Sequence, residues 1–478
     1  MILKNIEPTE VFTHFEAISM IPRGSGNEKA VSDYIAVFAK NLALNTVQDE
    51  RNNLIIYKPG TAGYETSPVV ILQAHLDMVC EMNAGTVHDF LKDPIKLTID
   101  GDLIKANGTT LGADNGIGVA ICMALLASTT IPHPPLEIVL TTDEETGMGG
   151  AYALDAAHLQ GKRMINLDTD RDDTFIMGCA AGTTVSYKLP VTWVSNNQKN
   201  YSYRITVKGL KGGHSGADIT LERGNANKIL GLLLSYTEST VHIGGITGGM
   251  KVNAIAREAF ADISCTPEID LEIKLTPIID EIKKQYKVTD PDLNITIEPI
   301  NNLTHHLSPE SKQNLLASIL LFPDGVLAMS QEITGLANQS CNLGVIEIQE
   351  NDIQFFAMPR GMTRFFNQQT EQTIRFLAAQ CSADVTFSQR SPAWPFNAES
   401  TLMQVASDAY VQLNGTPPKV TAIHAGLECG LFADKLGNMD IISFGPNAYD
   451  IHTPEEALSI ASTQKVYRLV QEILKNLK

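Results

Sequence analysis

From residue 68 to residue 168 short apolar segments alternate with helical stretches, and each apolar segment ends in polar residues. That alternation is the mark of parallel strand-helix-strand units. Strands are predicted over residues 69–73, 136–142 and 163–167. A small-residue helix opening at Asp114-Asn115-Gly116 runs to about Ser128. The polar residues collect just past the strands: His75 and Asp77, then Asp143 to Glu145, then Asp168. Open α/β sheets place their sites at that edge.

The middle of the chain has a different rhythm. Residues 201–207 alternate with period two, a long helix follows near 222–236, and strand-like segments lie around 255–264 and 293–297. Helices near 310–321 and 369–380, with strands near 345–349 and 353–357, complete an α+β pattern. After about residue 398 the α/β pattern returns, with a helix over 400–413, a strand over 441–444 and a helix over 462–477. The expected fold is therefore an α/β domain with a mixed, mainly parallel sheet flanked by helices, formed by residues 1–186 and 398–478. Residues 187–397 form an inserted α+β domain. At ~100 to 200 residues per domain, 478 residues accommodate two such bodies.

Composition narrows the partners. Apolar residues make up 44% and charged residues 19%, enough for a real core. Acidic residues outnumber basic ones 54 to 36, a formal charge of −18 that repels nucleic acid and anionic membranes, and no basic patch offsets it. No apolar run approaches the roughly 18 to 20 residues of a membrane span; the richest, 119–127 and 315–322, read as core helices. Asn5, Glu7 and Glu10 interrupt what a signal peptide would need, so export is not expected. Seven scattered cysteines without a CxxC pair argue against a disulfide framework, and a reducing cytoplasm fits.

Each polar strand end has an ordinary explanation beside a chemical one. In an extended His75-Leu76-Asp77, positions i and i+2 share a face, so Asp77 can hydrogen-bond one ring nitrogen of His75 and fix its tautomer. Asp114, just ahead of a helix, could be a plain N-cap. Asp143-Glu144-Glu145 could be a solvated turn, but three acids at the end of a buried strand repel one another unless cations lie among them. If the backbone stays extended there, one of Glu144 and Glu145 can bind metal while the other faces substrate as a general base. Asp168 and His452 are no stronger taken alone. A catalytic zinc site needs imidazole and carboxylate ligands with an open position, and a two-metal site needs a bridging carboxylate; these residues supply both.

Taken as a set, His75-Leu76-Asp77, Gly112-Ala113-Asp114-Asn115-Gly116, Asp143-Glu144-Glu145, Asn166-Leu167-Asp168 and His452-Thr453-Pro454-Glu455 resemble, in order and spacing, the ligand motifs of the co-catalytic dizinc aminopeptidase and carboxypeptidase superfamily. With Gly212-Gly213-His214-Ser215-Gly216 and His424-Ala425-Gly426-Leu427-Glu428, the chain is most similar to the aminoacyl-histidine dipeptidase branch over essentially its whole length. The resemblance implies a zinc-peptidase-like catalytic domain with the insert as a lid. It also implies two Zn2+, with Co2+ or Mn2+ as substitutes: His75 and Asp168 on one ion, Glu145 and His452 on the other, Asp114 bridging both, and the Asp114-Asn115 peptide cis. Asp77 would orient His75, Glu144 would be the general base, and His214 would stabilise the oxyanion. Asn253 and Arg360 are similar to residues that hold the substrate and grip its C-terminal carboxylate; His424 and Glu428 stand near the pocket, with Glu428 a candidate partner for the substrate's amine. Asn115 replaces a second acid at the bridging position, residues 169–173 keep acidity without the usual spelling, and Thr453 stands for a commoner serine, so no ligand is lost.

The implied activity is hydrolysis of short peptides with a free N-terminus, of Xaa-His type including β-Ala-His. A less selective di- or tripeptidase, an N-acyl amino acid deacylase and a non-catalytic binding relative would share the scaffold; Glu144 argues against the last. A serine hydrolase is disfavoured because residues 213–217 end in Ala where GxSxG needs Gly, and residues 112–118 match neither nucleotide-loop pattern. An insert of this length can deliver His214 in cis, and a homodimer remains open as well.

Overall fold

The computed structural model describes residues 2–196, 200–237, 239–266 and 269–478. The chain divides into two compact units. One comprises Met1–Gly178, Phe396–Ala422 and Leu427–Lys478; the other comprises Cys179–Pro395 and Ile423–Gly426.

The first unit is built on an eight-stranded sheet. Its order is Asn45–Gln48, Leu54–Lys58, Leu136–Thr141, Val70–His75, Arg163–Asn166, Asp440–Ser443, Thr174–Cys179 and Lys419–Ile423. The four central strands pair in parallel, while Leu54–Lys58 and Thr174–Cys179 join antiparallel. Val70–His75 is buried along its length, as a central parallel strand must be. From it the chain passes first to a neighbour on one side and later to one on the other. The C-terminal end of Val70–His75 is thus a topological switch point, where a crevice opens. Its register sets His75 beside Thr141 and Gln73 beside Asn166.

Helix Ala113–Ala127 follows this strand and is buried at every position except Asp114 and Ala127, because its residues are small or apolar on all sides. Phe12, Phe15 and Ile18 of helix Thr9–Ser19 join it in one core, with Leu402 and Ala406 of helix Thr401–Asn414 and Val466, Val470 and Ile473 of helix Ile460–Asn476.

The second unit carries an antiparallel sheet whose order is Asn294–Ile300, Tyr201–Lys208, Ala259–Cys265, His242–Gly248, Ala337–Ile348, Asp352–Gly361, Ala181–Pro190 and Asp384–Ser391; Gly325–Met329 pairs with Ala337–Ile348. Helices Ala226–Ser235, Leu271–Gln285, Pro309–Leu321 and Arg364–Gln380 contribute Leu230, Leu275, Leu315 and Ile374 to its core. A boundary after residue 186 would cut the strand Ala181–Pro190, which is hydrogen-bonded on both sides inside this sheet. The division falls after Gly178 instead. Ile423–Gly426 also belongs here, since the Ala180 N–H donates to the carbonyls of Ile423 and Ala425.

Two helices depart from expectation. Arg364–Gln380 begins five residues early because the Thr363 side chain accepts from the Phe366 N–H and caps a polar first turn. Leu271–Gln285 was not anticipated: Pro277 sits inside it, yet Leu271, Leu275, Ile279 and Ile282 recur at helical spacing and are buried.

Candidate metal centre

His75 ends the central strand and is buried. Its Nδ1 faces Asp77, 3.2 Å from the carbonyl and 3.4 Å from Oδ1. Its Nε2 lies 3.1 Å from Asp114 Oδ1 and 3.3 Å from Asp168 Oδ1. His452 Nε2 is similarly placed, 3.2 Å from Asp114 Oδ2 and 3.1 Å from Glu145 Oε2. Asp114 does not cap its helix: both its oxygens go to histidines. The Asp114-Asn115 peptide is cis, and Asn115 Nδ2 donates to the Leu167 carbonyl next to Asp168.

Glu144 and Glu145 do not continue the strand. The chain leaves it after Thr141 and turns, with Asp143 at φ 57°, so the alternation expected of extended backbone does not apply. Asp77 aims both residues instead, because its carboxylate accepts the Glu144 N–H at 3.0 Å, the Glu145 N–H at 3.2 Å and the Ser25 hydroxyl at 2.8 Å. Among the described residues, three sets of donor atoms lie close enough to share an ion: His75, Asp114 and Asp168; His75, Glu144 and Glu145; and Asp114, Glu145 and His452.

The electrostatics are those of a cluster built for positive charge. Burial opposes a charge on His75, yet Asp168, Asp114 and Asp77 hold its pKa well above the ordinary imidazole range. Hydrogen bonds to Asp114 and Glu145 push His452 up to about 10. Burial, with Asp114 and Glu145 nearby, raises Asp168 to about 7. Burial again, with Asp168, Glu428 and Glu145, raises Glu144 well above the carboxylate range. Asp77 is also buried, but the His75 hydrogen bond and charge take it down to about 2. Glu145 Oε1 is buried without a hydrogen-bond partner. Each Nε2 therefore faces carboxylate oxygens, acceptor against acceptor, unless a proton or a cation stands between them. Imidazole and carboxylate donors suit a borderline divalent ion such as zinc, so the residues fit the metal the motifs imply.

Behind the strand ends runs a buried hydrogen-bond chain that sequence reading missed. Gln73 Nε2 donates to Glu428 Oε2 at 2.6 Å and the Thr141 hydroxyl donates to the same oxygen at 2.7 Å. Asn166 Nδ2 donates to Gln73 Oε1, the Ser443 hydroxyl donates to Asn166 Oδ1, and that oxygen also accepts the Asp168 N–H. A signal existed in polar residues inside otherwise apolar strands. Glu428 is 1% exposed, and burial pushes its pKa up to about 8. Its Oε2 is taken up by this internal chain, while Oε1 is buried without a hydrogen-bond partner.

The remaining candidates lie in the second unit. His214, in the short strand Gly213–His214, pairs with Ala254 beside Asn253, and the Ser215 N–H donates to the Asn253 carbonyl. His214 Nδ1 accepts the N–H groups of Gly216 at 3.2 Å and Ala217 at 3.0 Å. With Nδ1 accepting, a neutral ring carries its proton on Nε2, which lies 3.5 Å from Arg360 Nη2; burial followed by the Arg360 charge lowers its pKa. Arg360 is 5% exposed, with Nη2 only 3.4 Å from the Ser215 hydroxyl and 3.1 Å from Met358 Sδ, and with Nε buried and unpartnered. A guanidinium taken from water and so weakly bonded suits an arriving carboxylate. His424 Nε2 meets the Ser340 hydroxyl at 2.7 Å, and burial with Arg360 nearby takes its pKa to about 3. Gly216 is obligatory, because a Cβ there would strike the His424 carbonyl and come 3.1 Å from Arg360 Nε. Asn253 is exposed and lines, with Lys211, His214 and Arg257, a groove of about 730 Å³.

A sequence model described as peptidase family M20/M25/M40 matches residues 71–476. The chain is 35% identical over 479 residues to the Escherichia coli (strain K12) cytosol non-specific dipeptidase, covering 99% of each. Among solved structures, the aminoacylhistidine dipeptidase of Vibrio alginolyticus matches with a TM-score of 0.92 at 36% identity, over 99% of this chain and 98% of that one. The aminopeptidase PepT of Bacillus cereus shares the fold, with a TM-score of 0.57 at 16% identity over 99% of each chain.

Proposed function

The chain belongs to peptidase family M20/M25/M40 and is a metal-dependent dipeptidase; from that premise we propose that it loads two zinc ions and cleaves dipeptides with a free N-terminus, Xaa-His substrates among them. The observation that carries the proposal is the sharing of one carboxylate, Asp114, between His75 and His452. His75 and Asp168 would hold one ion, Glu145 and His452 the other, with Asp114 on both. Bound there, the ions supply Lewis acidity and neutralise the crowded carboxylates.

The chain's own residues do the rest. Asp77 orients His75 and sets the Glu144-Glu145 turn through its two backbone donors. Glu144, acting from its ionised form, takes a proton from the attacking water and returns it to the leaving amine. His214 donates its Nε2 proton to the carbonyl oxygen as negative charge develops there. Arg360 pairs with the substrate's C-terminal carboxylate and Asn253 adds a hydrogen bond to its backbone. His424 is held by its hydrogen bond with Ser340, which stands opposite Arg360 in the sheet. The printed names of the relatives differ in breadth, one non-specific and one aminoacylhistidine, so histidine is proposed as an accepted C-terminal residue, not as the sole one.

A reducing cytoplasm is the proposed site of action. Among the described residues the cysteines form no disulfide and no helix is long and apolar enough to cross a membrane. The deciding experiment is a panel of dipeptides, including β-Ala-His, against tripeptides and N-acyl amino acids. Turnover confined to dipeptides with a free amine agrees with the proposal. Preference for acyl amino acids would assign the site to deacylation.

A further inference from the structure

The backbone from Leu111 to Asp114 runs ahead of the regular part of helix Ala113–Ala127, because Asp114 and Asn115 have non-helical φ/ψ. The Asp114 carboxylate does not serve the N–H groups of this segment, since its oxygens face His75 and His452. Their acceptor comes from far along the chain. Glu456 Oε2 accepts the N–H groups of Leu111 at 2.8 Å and Gly112 at 2.9 Å, and Oε1 accepts those of Ala113 at 2.8 Å and Asp114 at 3.2 Å. Four successive amides form an anion-binding nest, and a buried carboxylate occupies it.

The carbonyl side of the same segment is held by a second buried charge. Arg23 Nη2 donates to the Gly112 carbonyl, while Nη1 donates to the carbonyls of Leu76 at 2.9 Å and Asp77 at 3.1 Å. One guanidinium thus joins the strand end that carries His75 to the loop that carries Asp114. The glycines of this loop are explained by it. A Cβ on Gly112 would come 2.6 Å from Arg23 Nη2, one on Gly116 would strike the same atom, and Gly112 has φ 71° besides. Arg23 and Glu456 are each 2% exposed. Glu456 lies four residues after His452, so its grip also ties the His452 loop to Asp114.

We propose that Arg23 and Glu456 are positioning residues for the metal centre, clamping the backbone from Leu111 to Asp114 so that the Asp114 carboxylate is held where His75 and His452 share it. The inference rests on the reading of Asp114 as the bridging ligand. Metal ligation tolerates only a few tenths of an ångström, so a loop released from this clamp loses affinity without losing any ligand.

The test is Zn2+ affinity, measured by competition with a chelating dye on metal-free wild type, Glu456→Gln, Arg23→Lys and Asp114→Asn, each first shown folded by circular dichroism. Gln in place of Glu456 keeps the size but offers one acceptor oxygen and two unwanted donors. Both clamp variants should bind Zn2+ about 10- to 100-fold more weakly. They should show an altered absorption spectrum when loaded with Co2+, and recover kcat at raised metal concentration with KM for the dipeptide unchanged. Wild-type affinity in both clamp variants, with affinity lost in Asp114→Asn, overturns the clamp alone. Wild-type affinity in Asp114→Asn overturns the bridging reading beneath it. Should Glu456→Gln fail to fold, Glu456→Asp, which keeps the charge and retracts it, takes its place; failure of that variant too assigns the residue to the fold and overturns the proposal.

Discussion

His75 and His452 meet on one carboxylate, the Nε2 of the first 3.1 Å from Asp114 Oδ1 and the Nε2 of the second 3.2 Å from Asp114 Oδ2. They stand 377 positions apart in sequence, one at a strand end and the other in a loop at φ 64°. Replacing Asp114 by Asn keeps the shape and removes the charge both imidazoles face. Metal analysis of the purified variant should show less than the wild-type complement and turnover should fall at least about 10³-fold, as expected when a ligand rather than an outer partner is lost. A full complement would take Asp114 out of the ligand set.

Glu144 separates binding from chemistry. Glu144→Ala should retain near-normal metal content and lose about 10² to 10⁴ in kcat, the span of general acid-base catalysis. Retained turnover would reassign the base.

Arg360 and His214 should divide between binding and rate. Arg360→Lys loses the planar fork and should raise KM for a dipeptide far more than it lowers kcat, with little effect on the matching dipeptide amide, which lacks the carboxylate. His214→Ala removes the Nε2 donor and should lower kcat about 10²- to 10³-fold. Equal losses on the acid and the amide in Arg360→Lys would contradict the carboxylate contact.

Glu428 predicts a pH effect on stability in metal-free protein. Its pKa is about 8 in the fold against 4.5 as the ordinary value. A raised folded pKa gives stability that is fully present below 4.5 and is lost as pH rises through 8. Glu428→Gln lacks this loss, so the unfolding free energy of wild type from urea titrations should fall relative to the variant between pH 5 and pH 8, on the order of 1 kcal/mol per pH unit. Parallel pH curves would contradict the shift.

The candidate metal centre was legible in the sequence because it uses ligand types at strand ends, just past apolar runs, at His75, Asp143 to Glu145 and Asp168. What supports it was not. Gln73 and Asn166 act through a hydrogen-bond chain that joins separate strands and reaches Glu428 on a helix. Arg23 and Glu456 act on backbone atoms, and backbone contacts leave no periodic trace in side-chain order. The turn after Thr141 escaped for a related reason: alternation was extended past the end of its strand, and Asp143 at positive φ carries no glycine to announce it.

The central claim is that this cluster works only with two cations in it. Chelated, metal-free protein titrated with Zn2+ while β-Ala-His hydrolysis is followed should be inactive at the start and reach full activity at about two equivalents per chain. Full activity before any metal is added would contradict the account.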